Sequence, residues 1–133
     1  MDLDSLDSRQ IALILCRGRC VIGLLCIFAP GLVARIFFGE STPTVRAITR
    51  MTGIRDLALG VGALTNLKER EQDAEWVSMG AVSDGVDGIV ALATPGLPLR
   101  SRVIGVGAFG VGGYLLKISR DLAAERNAAE FSA

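Results

Sequence analysis

The sequence predicts an all-α fold, an integral membrane bundle of four transmembrane helices in up-down-up-down order, on three observations. Half of the residues are apolar and the mean hydropathy is +0.46, well above that of an ordinary soluble domain. Four apolar stretches recur at 11–34, 45–67, 74–95 and 99–118, each close to the roughly 20 residues that a bilayer core requires. Proline, glycine or charge separates each stretch from the next. A single domain then accounts for residues 1–133, with short tails.

The first stretch follows Asp2, Asp4 and Asp7, the wrong sign for the basic leader of a cleaved secretory signal, so the first helix is expected to remain in the mature protein. It holds the three cysteines, Cys16, Cys20 and Cys26. Residues on one straight helix cannot close disulfide geometry, and two thiols on a shared face make a poor metal site, so all three read as small buried hydrophobes. Breakers come next, at Pro30-Gly31 and from Gly39 to Pro43, and the second stretch runs to the charged 68–75 link. The third stretch ends at Thr94-Pro95-Gly96-Leu97-Pro98. The fourth continues beyond Lys117 into Ala-, Glu- and Arg-rich sequence including Asp121, Glu125 and Arg126, suited to a helical extension that frays at Phe131-Ser132-Ala133.

A soluble bundle would show an apolar stripe and a solvated face on each helix, whereas Val21 to Phe28 and Val103 to Leu116 are apolar or glycine all round. Short links favour antiparallel neighbours. Arg9, Lys68, Arg70, Lys117, Arg120 and Arg126 outnumber Arg35, Arg100 and Arg102 in the opposite links, with Arg46 at a boundary. The positive-inside rule therefore puts both termini on the cytoplasmic side of the inner membrane.

Charge also narrows the function classes. With 14 basic and 14 acidic side chains the formal net charge is zero, which leaves no field to hold nucleic acid. The absence of histidine removes the commonest general base and a usual metal ligand. No catalytic residue, metal or cofactor is predicted.

Seven charges nevertheless fall inside the proposed spans: Arg17, Arg19, Arg50, Arg55, Asp56, Asp84 and Asp87. Left unpaired, each would cost on the order of 3 kcal/mol, about 20 kcal/mol together, more than so small a domain can carry. The expected solution pairs Arg50, Arg55 and Asp56 of the second span with Asp84 and Asp87 of the third, which share a helix face with Gly80, Gly88 and Ala91. Gly53 and Gly60 are expected on the Arg50 side of the second span. Arg17 and Arg19 point in opposite directions; both can snorkel, or one faces inward to meet a lipid phosphate or a partner carboxylate.

Gly105-Val106-Gly107-Ala108-Phe109-Gly110 spells the dinucleotide fingerprint but lies in a helix-length apolar run rather than at a strand-to-helix turn. Gly105, Gly107, Gly110, Gly112 and Gly113 are read instead as a helix-packing interface. Asp84-Gly85-Val86-Asp87-Gly88-Ile89-Val90-Ala91 is similar to the opening of the CDP-alcohol phosphotransferase motif. Leu92 stands where that family has arginine, and the second aspartate pair is missing, so two carboxylates would hold only part of a magnesium shell.

The run Arg50-Met51-Thr52-Gly53-Ile54-Arg55-Asp56-Leu57-Ala58-Leu59-Gly60, followed by Ser83-Asp84-Gly85-Val86-Asp87, resembles a family of small actinobacterial four-span membrane proteins with no assigned activity. The resemblance implies an accessory, non-enzymatic subunit of a larger envelope assembly, with the Mce-type lipid importer as the named partner and membrane lipid as its surroundings. The alternatives are a stand-alone lipid-binding protein and a metal-dependent phosphotransferase working through Asp84 and Asp87.

Overall fold

A computed structural model describes residues 7–69 and 72–131; the sequence expectations for Asp2, Asp4, Arg70, Ser132 and Ala133 lie outside them. The described residues form five helices and no strand: α1 (Ser8–Phe28), α2 (Pro30–Phe38), α3 (Pro43–Glu69), α4 (Asp73–Ala93) and α5 (Leu99–Phe131).

The expected first span, 11–34, is two helices. A residue before proline is disfavoured in the α region, and Ala29 leaves it at φ −124°, ψ 47°, after donating its N–H to Leu25 O. Pro30 then starts α2 at a position that needs no N–H donor, and Gly39 ends it in the left-handed region at φ 84°. Thr42 opens α3 by accepting the Val45 N–H on its hydroxyl at 3.2 Å, just ahead of Pro43. α4 starts from Gln72 in the left-handed region at φ 34°, with Asp73 of its first turn accepting the Ala74 N–H at 2.9 Å, and Thr94-Pro95 closes that helix. α5 shows no break at Lys117: the expected fourth span and its extension are one helix of 33 residues, about 50 Å long.

Two antiparallel pairs make up the bundle. α1 packs on α3 where both are small: a Cβ built on Gly53 would lie 2.6 Å from Cys26 Cβ and 2.7 Å from Gly23 O. α4 packs on α5 in the same way, since a Cβ on Gly112 would meet Ala81 O at 2.7 Å. No side chain longer than hydrogen fits either position, so these backbones approach more closely than leucine-faced helices could. The three cysteines are free thiols, Cys16 and Cys26 buried in this packing and Cys20 half-buried.

Apolar burial concentrates at the end of the bundle where α1 starts and α3 ends, around Cys16, Leu67, Val77, Leu115, Ile118 and Leu122. Elsewhere the large apolar side chains point outward, among them Phe28 at 81% exposure, Met51, Ile54, Val61, Val86 and Val103. α2 lies across the far end, tied to α5 by the Ser101 hydroxyl donating to Phe37 O.

Two helices, Ser8–Phe28 with mean hydropathy 2.2 and Asp73–Ala93 with 1.2, are long and apolar enough to cross a membrane. α3 has the length, but Arg50, Arg55 and Asp56 interrupt it. In α5 the uncharged stretch 103–116 spans only about 21 Å. By length and composition, two of the four expected spans thus qualify among the described residues.

Candidate functional site

The most distinctive cluster is a chain of alternating charge that crosses three helices midway along the bundle. It starts from Arg19, which α1 turns inward on the stripe of Cys16 and Gly23 and whose side chain is 8% exposed. Its guanidinium pairs with Asp56 of α3 at 3.3 Å and with Asp84 of α4, and donates to Gly80 O at 3.0 Å. Gly80 has no side chain, which leaves room there for the guanidinium: a Cβ would sit 3.4 Å from it.

Asp56 turns from Arg19 to Arg55, 3.0 Å away on the preceding residue of α3. Arg55 in turn meets Asp87 through both terminal nitrogens, with Nη1 to Oδ1 at 2.9 Å, a bidentate fork. The order Asp84–Arg19–Asp56–Arg55–Asp87 leaves each arginine between two carboxylates. Three carboxylates share two guanidiniums, so the cluster carries one surplus negative charge when every group is ionised.

Of the residues predicted to pair, the structure brings together Arg55, Asp56, Asp84 and Asp87, and it adds Arg19. Arg50 is not with them. It stands five positions before Arg55, about 140° round the helix, and its Nε reaches Ile27 O at 3.4 Å on the exposed side. Gly53 and Gly60 lie on the buried stripe of α3 with Asp56, and Gly53 shares with Arg50 the approach to Ile27 of α1. Arg17 is exposed and joins no ion pair among the described residues.

The five α5 glycines also divide. Gly105 and Gly112 press on α4, whereas at Gly107, Gly110 and Gly113 a Cβ would find nothing within 4 Å.

Two further clamps gave no signal in the sequence. Arg9 donates to Asp73 and to Leu67 O, both at 2.7 Å, fastening the start of α1 to the link between α3 and α4. Arg126, on the extension of α5, pairs with Glu75 at 2.8 Å. That hydrogen bond holds the Arg126 guanidinium above its ordinary range.

Asp84 and Asp87 face arginines. No group of three or more His, Cys, Asp or Glu side chains able to hold a metal comes together among the described residues. Ser83 Oγ, beside Asp84 in sequence, is buried with no hydrogen-bond partner among them.

Fold and site together define an all-helical bundle with two membrane-competent helices and an ion-pair chain through its middle. No protein-family model matches the chain, and comparisons with curated proteins and with solved structures find no match.

Proposed function

We propose that the protein is a non-enzymatic subunit of a larger assembly in the inner membrane, with α1, α3, α4 and α5 crossing the bilayer and α2 lying at one interface. What supports the crossing is the inverted distribution of polarity. Arg19 and Asp56 are each 9% exposed while Phe28, Met51, Ile54 and Val103 are more than half exposed, an arrangement that water would penalise and lipid would not. In such a setting α3 owes its passage to the pairing of Arg55 and Asp56. The charges flanking the short apolar stretch of α5, Arg102 and Lys117, snorkel to the two interfaces.

The observation that carries the subunit reading is the outer face of α5. Gly107, Gly110 and Gly113, spaced three apart, are left without a neighbour where Gly18 and Gly85 are open only singly, and such a run of small residues makes the kind of face a second transmembrane helix occupies. The resemblance of the Arg50–Gly60 and Ser83–Asp87 runs makes an Mce-type lipid importer the first partner to look for.

The test is extraction of the tagged native protein in mild detergent, with mass spectrometry of whatever co-migrates. Larger membrane proteins in fixed ratio are expected, and Gly107→Leu with Gly110→Leu should release them without lowering accumulation of the protein. Migration alone, or partners retained by the double variant, would sink the reading. Reporter fusions at each terminus test the proposed orientation, both ends cytoplasmic; a periplasmic signal at either end would reverse it.

A further inference from the structure

The end of the bundle that α2 covers carries a second feature, unrelated to the ion-pair chain. Arg35, Arg46, Arg50, Arg100 and Arg102 gather there against a single acid, Glu40. All five arginines are exposed, and among the described residues none forms an ion pair. Arg35 and Arg50 have helix carbonyl ends to complement, in the last turns of α2 and α1. Arg46, Arg100 and Arg102 have the opposite. They occupy the first turns of α3 and α5, where the helix dipole is itself positive, and neither first turn contains an acid.

Three cations and two positive helix ends therefore lie at this end with no ion-pair partner among the described residues, and Glu40, which lines one groove together with Arg100, is the acid beside them. Around Arg100 the surface is shaped as well as charged. Two open grooves of about 570 Å³ each meet at Arg100, whose guanidinium lies against Gly39. One is otherwise apolar, lined by Ile36, Leu99, Val103 and Ile104.

We infer that this end binds an anionic phospholipid of the surrounding bilayer. Its phosphate sits on Arg100, with Arg46 and Arg102 adding attraction, and one acyl chain follows the groove between α2 and α5. A free phosphate would use the charge and leave the groove empty, whereas a zwitterionic lipid would use the groove and gain little from the charge; an acidic lipid uses both. The inference rests on the membrane-spanning reading but not on any partner protein.

The experiment is native mass spectrometry of the purified full-length protein in non-ionic detergent, titrated with phosphatidylglycerol and, separately, phosphatidylcholine of the same chains. Phosphatidylglycerol should bind about 25-fold more tightly. Arg100→Gln with Arg102→Gln should remove that preference, at about fivefold per arginine, and leave phosphatidylcholine binding unchanged. The corresponding lysine pair should keep most of the preference, and it serves as the second test should the glutamine pair fold poorly. Equal binding of the two lipids by the parent protein, or a preference that survives in the folded glutamine pair, would overturn the site. Release of the protein from membranes by an alkaline wash would overturn the membrane reading itself, and the two failures are distinguishable.

Discussion

Replacing Arg19 by methionine tests whether the charge chain holds the bundle together. Methionine keeps the length of the stem and removes the guanidinium that Asp56, Asp84 and Gly80 O share. Asp56 retains Arg55 at 3.0 Å, but Asp84 loses the partner facing it. Breaking a buried pair by deleting one member costs about 3–5 kcal/mol, because the remaining charge stays buried. A domain of this size has about 5–15 kcal/mol in hand, so Arg19→Met should remove a large fraction of its stability.

Adding Asp84→Asn to Arg19→Met restores the parent's single surplus negative charge, and about half of the loss should return. The assay is denaturant unfolding in detergent followed by the emission of Trp76, the chain's one tryptophan, which lies on α4 against Gly62 of α3 and reports separation of those helices. If Arg19→Met unfolds within about 0.5 kcal/mol of the parent, or if the double variant is no more stable than the single one, the charge chain is not structural.

Three other outcomes follow from the same geometry. Gly60→Leu should prevent accumulation of folded protein, since even a Cβ there meets Cys16 O at 3.2 Å, while Gly107→Leu should accumulate normally; immunoblots of membrane fractions compare them. Ser83→Ala should be neutral or stabilise by up to about 1 kcal/mol, because it removes a buried hydroxyl that has no partner, and the Trp76 unfolding curve measures it. Maleimide should label Cys20 before Cys16 and Cys26, which are each 4% exposed, and all three should react equally once denatured; a fast-reacting Cys16 would show that α1 does not pack as described.

Helix positions were largely legible in the sequence because proline, glycine and capping threonine act locally. Pro30, Gly39, Pro43 and Pro95 end or start helices at the places where breakers had been read. The division at Ala29 was harder to read, since the apolar pattern runs unbroken through Pro30 and only the backbone restriction before proline separates α1 from α2.

The charge chain was legible in part. That Asp84 and Asp87 share a face follows from their spacing, and that only one of Arg17 and Arg19 can face inward follows from theirs. Periodicity on one helix does not say which neighbouring helix approaches which face, so the choice of Arg19 over Arg50 depended on the α1–α3 contact at Gly23 and Gly53, a tertiary fact. Arg9 with Asp73 and Arg126 with Glu75 are separated by 64 and 51 residues, and no local pattern joins them.

The charge chain also bears on how the bundle comes together. The α1–α3 hairpin brings Arg19, Arg55 and Asp56, a net positive set, and the α4–α5 hairpin brings Asp84 and Asp87, a net negative one. Within each hairpin the glycine contacts are complete, so each is a finished piece sterically and an unfinished one electrostatically. Apolar surfaces have no reason to seek one another in lipid, but unneutralised charges do. The two hairpins then act as complementary halves whose recognition is written in these five side chains and in Arg9 with Asp73 at one end, and supplied as separate chains they have what they need to find each other.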